Sequence, residues 1–155
     1  SEVCGSGGAT SAQWGTVNEC LEYCGQIDKW EQGQSGESFG NTVACRISHT
    51  ETARDFGPLL DECDATGASG NGVCGTWCDV YCDLSAEVCP ANYADAEACA
   101  IACGNIPAGG ESGDITGNSV QCRITHLAFA GEDGGAAAGT HCPHAQETPT
   151  SPCTD

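Results

Sequence analysis

The sequence predicts a small disulfide-rich fold, mainly α-helical with long glycine-rich loops, in which two homologous domains form a tandem repeat. Three observations predict it. Of the 155 residues, 14 are cysteine, only 21 are Leu, Ile, Val or Phe, and one pattern of cysteine spacing occurs twice. A cysteine content of about 9% is typical of disulfide scaffolds.

The composition leaves little material for a hydrocarbon core. A formal net charge of −18 adds self-repulsion, which opposes compaction. Disulfides, each contributing about 2–4 kcal/mol, are the available compensation. Because persistent disulfides need an oxidising compartment, we expect a secreted, extracellular protein. The absence of methionine, even at position 1, is typical of a mature product whose export signal has been removed.

The charge balance also bears on the choice of partner. Only Lys29, Arg46, Arg54 and Arg123 are basic. Binding to nucleic acid or to anionic lipid is therefore disfavoured. No stretch approaches the ~18 apolar residues of a membrane span. Cationic partners, calcium among them, remain compatible with this chain.

An internal repeat organises the sequence. Residues 40–49 read GNTVACRISH and residues 117–126 read GNSVQCRITH, with seven of ten positions identical. The cysteines around these blocks align as two sets of six, namely Cys4, Cys20, Cys24, Cys45, Cys63 and Cys74, then Cys89, Cys99, Cys103, Cys122, Cys142 and Cys153. The repeat predicts two cysteine-rich domains, 1–75 and 76–155, with Cys78 and Cys82 left over at the start of the second.

Hydrophobic periodicity and breaker residues predict the local structure. The predicted helices are 16–25, 42–54, 76–87, 93–104 and 119–130, and the predicted loops are 32–41, 64–74, 107–118 and 131–140. Thr42 and Ser119 stand where helix N-caps belong. In the last helix Cys122, His126 and Ala130 recur at intervals of four and predict one buried stripe.

Two C-x3-C steps on antiparallel helices are able to bridge one another. We therefore expect Cys78 and Cys82 to bridge Cys99 and Cys103. The first domain lacks the leading helix, so Cys20 and Cys24 pair with each other, with other cysteines of that domain, or across chains. Either the first domain was trimmed at its start, or another chain supplies the helix.

The repeated polar residues have a structural interpretation. Arg46 and Arg123 offer five donors in a fixed fork, and we expect each to anchor carboxylates or loop carbonyls within its own domain. His49 and His126 are expected to be packed imidazoles that hydrogen-bond to backbone.

A second interpretation applies to the histidines of the second domain. His141 and His144 flank Cys142 there, and together with His126 they form a candidate site for zinc or copper. Bis-His haem is a further alternative, although the C-x-x-C-H attachment motif is absent. The first domain has Glu62 and, near the other position, Ala65 instead, which confines such a site to the second domain.

Other chemistry has little support in the sequence. Motifs of hydrolases, zinc proteases and P-loop enzymes are missing, and we expect no enzyme. The run Asp61-Glu62-Cys63-Asp64 is dense in carboxylates without EF-hand spacing, so it is a weak candidate for calcium. Thr148, Thr150 and Ser151 are candidate acceptors for O-linked sugars in a Pro/Thr-rich tail.

The blocks GNTVACRISH, GNSVQCRITH and THCPHA resemble cysteine-rich repeats of secreted bacterial proteins, including those of myxobacteria. The resemblance covers most of residues 78–153 and, more loosely, 2–74. It implies a fold and an extracellular location but no activity. At the HCPHA position the first domain departs from the pattern, with Glu62-Cys63-Asp64-Ala65.

The function expected from these observations is that of a secreted, disulfide-stabilised structural or interaction protein. Such a protein is a candidate to assemble with itself into an extracellular filament, because a domain without its leading helix offers a gap to a neighbour. The alternative is an extracellular metal- or haem-binding protein that uses the histidines of the second domain.

Overall fold

A computed structural model describes residues 31–56, 60–67, 69–131 and 135–154. The chain divides into two compact units, Ser1–Thr76 and Trp77–Asp155. The described residues are mainly helical, and their one β-type contact is an isolated bridge between Glu31 and Thr42. None of the described helices has the length and apolar character needed to cross a bilayer.

In the first unit, helix α1 (Val43–Phe56) is followed by α2 (Leu60–Thr66) and by a 3-10 turn (Gly70–Gly72). Helix α1 begins at Val43 because the Thr42 hydroxyl accepts a hydrogen bond from the Cys45 N–H at 3.1 Å. A disulfide joins Cys45 to Cys74. Both sulfurs are buried against Ala65, so the bridge itself forms part of the small core of this unit.

The described residues of the second unit form four helices and a 3-10 turn. They are α3 (Trp77–Val88), α4 (Ala96–Gly104), α5 (Val120–Gly131), α6 (Ala138–His141) and the turn Cys142–Ala145. Disulfides Cys78–Cys103 and Cys82–Cys99 are nested, which makes α3 and α4 an antiparallel hairpin and confirms the predicted bridging of the two C-x3-C steps. Two further disulfides, Cys89–Cys142 and Cys122–Cys153, tie the C-terminal segment to α3 and α5.

A short apolar seam lies between α3 and α5, which pack along each other. Val80, Tyr81 and Leu84 of α3 are buried, as are Ile124 and Leu127 of α5. Ser119 caps α5, its hydroxyl accepting from the Cys122 N–H at 3.1 Å, as the sequence predicted. The seam fixes the position of α5, which carries the candidate site.

The predicted helices 42–54, 76–87 and 119–130 are confirmed within two residues at each end. The helix predicted to begin at residue 93 begins at Ala96, because the Asp95 carboxylate caps it by accepting from the Ala98 N–H at 2.8 Å. Segments 32–41 and 107–118 contain no helix, as expected.

Two predicted loops were partly wrong. Residues 64–66 belong to α2, residues 70–72 form the 3-10 turn, and residues 138–140 belong to α6. Disulfides hold the chain next to these short turns, a constraint that hydrophobic periodicity does not report. The predicted helix 16–25 and the cysteines Cys4, Cys20 and Cys24 lie outside the described residues.

Reduction tests whether disulfides carry the stability. Each described bridge closes a loop of 17 to 53 residues. Loops of this size contribute about 3–4 kcal/mol each, so the loss of two or three of them is comparable to the whole stability of about 5–15 kcal/mol that is typical of a domain. We expect the reduced, alkylated chain to lose most of its helical circular dichroism at 222 nm. Helicity that survives complete alkylation, verified by mass, would contradict this account.

Candidate metal centre

Three imidazoles converge at one point of the second unit. His126 lies on α5, His141 ends α6, and His144 lies in the following 3-10 turn. The Nδ1 atom of His126 is 2.9 Å from Nδ1 of His141 and 3.4 Å from Nδ1 of His144. One ligand nitrogen from each ring lies within 4.8 Å of the other two. The folded chain thus brings the three histidines singled out in the sequence together.

The spacing of the three nitrogens matches that of ligands around one ion. Imidazole nitrogens bind zinc at about 2.0–2.1 Å, so two of them lie about 2.9 Å apart at a right angle and about 3.3 Å apart at the tetrahedral angle. The two Nδ1 separations at His126 have these values. These two separations are therefore compatible with nitrogens that share one ion.

A backbone contact selects the tautomer of His126. Its Nε2 lies 3.2 Å from the carbonyl oxygen of Ile115, an acceptor, so Nε2 carries the proton and donates. In the neutral ring Nδ1 is then left with a lone pair that faces His141 and His144. An outer hydrogen bond of this kind orients most metal-binding histidines in proteins. His126 has the arrangement of a ligand, and without an ion its Nδ1 accepts a hydrogen bond from the Nδ1–H of His141.

Phe129 forms an apolar wall beside the histidines. Its ring meets His126 edge-on at a centroid distance of 5.6 Å and His141 at 5.4 Å. His126 is only 5% exposed, whereas His141 and His144 are half-buried. The site is consequently reached from the side of the C-terminal segment.

Buried donors fix the chain directly after His144. Arg123 is 1% exposed, and its Nε and Nη2 donate to the carbonyls of Gln146 at 2.9 Å and Glu147 at 3.1 Å. The Tyr81 hydroxyl donates to the carbonyl of Ala145 at 2.5 Å. Three successive carbonyls are thereby held by side chains from α5 and α3. His144 is positioned by this clamp together with the disulfide at Cys142.

The remaining donors of Arg123 secure the start of α5. Its Nη1 donates to the Ser119 carbonyl and its Nη2 to the Asn118 side-chain oxygen, both at 2.9 Å. The predicted role of this arginine as an anchor of loop carbonyls is confirmed. Arg46 makes the corresponding bonds in the first unit, to the carbonyls of Gly67 and Thr42 and to the side chain of Asn41.

His49 is the counterpart of His126 in the first unit, which has no histidines at the places of His141 and His144. Its Nε2 is 3.1 Å from the Ser38 carbonyl, in the manner of His126, but its Nδ1 is 2.6 Å from the Glu62 carboxylate. Both ring nitrogens of His49 therefore face oxygen atoms, and neither faces a second imidazole. The expectation of backbone-bonded imidazoles holds for His49 and for His126.

Two further Cys–His groups have the proximity but not the chemistry of a metal site. They are Cys45, His49 and Cys74 in the first unit, and Cys122, His126 and Cys153 in the second. Because their sulfurs are paired in disulfides, they offer no thiolate. Among the described residues, the three-histidine group alone presents unmodified ligands.

The surroundings of His126 and His144 favour the neutral form of these two rings. Burial lowers the pKa of His126 below its ordinary value of 6.5, and the positive charges that His144 and His141 would carry lower it further, against the raising effect of the Ile115 carbonyl. Burial, followed by the neighbouring His141, also lowers the pKa of His144. Neutral imidazole is the form that binds metals, so these two ligands are ready at neutral pH.

Several residues of this site were not predicted. Tyr81, Asn118 and Phe129 hold or line it, and of these only Asn118 carried a usable signal, because Asn precedes the N-cap in both repeated blocks. Other candidates remain outside it. Glu62 and Asp64 join no group of metal ligands among the described residues, and the side chain of Asp61 lies outside them. Thr148, Thr150 and Ser151 are exposed, and their glycosylation stays a prediction.

No family model matches this chain, and neither a curated protein nor a solved structure is significantly similar to it. The function is therefore argued from the site alone.

Replacing Arg123 by Lys tests the clamp. Lysine keeps the charge but lacks the planar fork, so at least two of the four hydrogen bonds are lost in a buried place. We expect R123K to lower the free energy of unfolding by about 2–4 kcal/mol in denaturant titrations. R46K is the matched change in the first unit and is expected to have a similar effect there. Stability unchanged in both variants would show that the guanidinium bonds are dispensable.

The lowered pKa values predict a pH dependence of the metal-free protein. At a pH above the histidine pKa of the unfolded chain, about 6.5, the rings are neutral in both the folded and the unfolded state. The free energy of unfolding then does not depend on them. As pH falls from there towards the folded pKa values, the unfolded state binds protons first, so stability declines. We expect wild type to lose more stability than H126Q between pH 7 and pH 5, a comparison that cancels the acidic groups. Parallel curves would rule out a lowered pKa at His126.

Proposed function

We propose that this chain is an extracellular, disulfide-stabilised protein whose second unit binds a transition-metal ion through His126, His141 and His144. The observation that supports the proposal is the convergence of three Nδ1 atoms at separations that suit one ion. If His126 were packed only for stability, a single hydrogen-bond partner would satisfy its Nδ1 atom. Two further imidazoles beside that atom are better explained by a shared ligand. Two of these rings also have lowered pKa values and so carry little charge of their own.

Electrostatics favour the loading of a cation. The three ligands are neutral when they bind, so the ion keeps its full charge, and the formal net charge of −18 on the chain attracts it from solution. Three protein nitrogens also leave a coordination position for water or an external ligand, the arrangement of exchangeable rather than closed zinc sites.

Three imidazole ligands suit zinc or copper better than calcium or haem. Calcium takes six to eight oxygen ligands, which three imidazoles do not supply. Bis-His haem requires two nitrogens on opposite faces of the porphyrin. Their separation is twice a metal–nitrogen bond, or about 4 Å. The Nδ1 atoms of His126 and His141 are 2.9 Å apart and their rings are stacked, which leaves no room for a porphyrin between them. Imidazole suits zinc and copper, and the proposal is restricted to these two.

The two units are, we propose, copies of one module. Arg46 and Arg123 donate to corresponding groups through the same nitrogens, and His49 and His126 direct Nε2 to corresponding carbonyls, those of Ser38 and Ile115. Glu62 of the first unit and His141 of the second face the same ring nitrogen. In this view the module provides the scaffold, and the side chains that differ between the two copies confine the metal site to the second.

A structural or interaction role, including self-assembly into an extracellular filament, stays a prediction, as does the absence of enzymatic activity. The metal proposal is compatible with either, because a bound ion in a surface module serves storage, stabilisation or contact with a partner equally well.

Calorimetric titration of the chelator-treated, disulfide-intact protein with zinc or copper(II) tests the metal site. We expect one ion per chain, and at least a hundredfold weaker binding in H126N and H141N, because loss of one of three ligands leaves only two nitrogens on the ion. Elemental analysis of protein purified without added metal gives an independent readout.

H49N is the matched control, since His49 occupies the same place in the other unit beside Glu62. It should bind like wild type. Absence of binding to wild type, or equal weakening in H49N and H126N, would exclude the proposed site. Far-UV circular dichroism and an intact disulfide mass confirm that each variant is folded.

A further inference from the structure

Corresponding positions on α1 and α5 differ in burial. Ile124 of α5 is 1% exposed, whereas Ile47, at the same place in the repeated block, is 52% exposed. The same face of α5 includes Val120 and Leu127, at 1% and 0% exposure. Its counterparts on α1 are Val43 and Thr50, which are only half-buried. Residues spaced by four and three positions share one side of a helix, so α1 has a partly apolar face that is exposed, whereas the corresponding face of α5 is covered.

Helix α3 covers this face in the second unit. It packs along α5, and Val80, Tyr81 and Leu84 are buried in the seam. In the described part of the first unit, residues 31–56, 60–67 and 69–76, no helix takes the corresponding place: α1 packs against α2, which corresponds to the segment that carries His141 and His144.

We propose that the Val43–Ile47–Thr50 face of α1 is a docking surface for an α-helix of the α3 type supplied by another protein. The proposal depends on the equivalence of the two units argued above, but not on the metal site. The second unit specifies the chemistry of the occupant, namely an amphipathic helix with aliphatic and aromatic residues at the places of Val80, Tyr81 and Leu84 and with cysteines four residues apart.

The occupant is a partner and not this chain's own α3. That helix is held in the second unit by the Cys78–Cys103 and Cys82–Cys99 bridges, with its apolar residues already buried.

A peptide with the sequence of residues 76–88 serves as the probe. Cysteines 78 and 82 are replaced by a hydrocarbon staple, which keeps the peptide helical and removes disulfide exchange. Fluorescence anisotropy of the labelled peptide, titrated with the full oxidised chain, should show saturable binding to one site. The I47D variant should bind at least tenfold more weakly, because a carboxylate then faces the apolar side of the peptide.

Two controls make the outcome decisive. I101D alters an exposed isoleucine of α4 in the second unit, 65% exposed, and should leave binding unchanged. A stapled peptide with Asp in place of Tyr81 and Leu84 should not bind. Failure of the stapled peptide to bind wild type at millimolar concentration, or equal affinity for wild type and I47D, would overturn the proposal.

The remaining alternative is that a second copy of this chain occupies the face, and sedimentation of the chain alone tests it. We expect no self-association that depends on Ile47. A dimer or polymer present in wild type and absent in I47D would assign the face to a second copy and overturn the choice of partner.

Discussion

Covalent links between short helices are the constraint on which the rest of this structure depends. The described core contains few large aliphatic side chains, and the cysteines of five disulfides occupy much of the interior that hydrocarbon fills in other proteins. Disulfides are local and directional, unlike a hydrophobic core. Each one fixes two particular points of the chain, so loops rich in glycine run between well-defined anchors.

The arrangement of the three histidines follows from those anchors. Cys89–Cys142 brings the segment after α6 to the end of α3, and Cys122–Cys153 holds the following tail against α5. Between the two bridges the buried guanidinium of Arg123 binds successive backbone carbonyls. A loop restrained in this way presents His141 and His144 to His126 with little freedom left to lose on binding, which favours affinity.

The contrast between the two units separates scaffold from function. Arginine, backbone-bonded histidine, capping hydroxyl and disulfide are present in both, because they hold the chain in place. Glu62 satisfies His49 with a carboxylate, whereas His141 offers His126 a second neutral nitrogen. The Nδ1 atom of the histidine thus meets a carboxylate in the first unit and a second imidazole in the second.

Much of the fold was predictable from the sequence by itself. Cysteine content, scarcity of apolar residues and the repeated block determined a disulfide-built helical protein, and the C-x3-C steps determined the α3–α4 hairpin, because helix geometry places residues four apart on one side. The repetition of Arg46 and Arg123 in the two blocks also indicated that they hydrogen-bond to loop carbonyls.

Only the tertiary structure decided which nitrogens meet, at what distance, and which tautomer His126 adopts. His126 is separated from His141 by 15 residues that include a glycine-rich loop, and no local periodicity encodes the approach of two such segments. The covering of Ile124 and the exposure of Ile47 were equally hidden, since the two residues lie in nearly identical sequence blocks. Burial depends on which other helix packs against a face, and that is a property of the assembled chain.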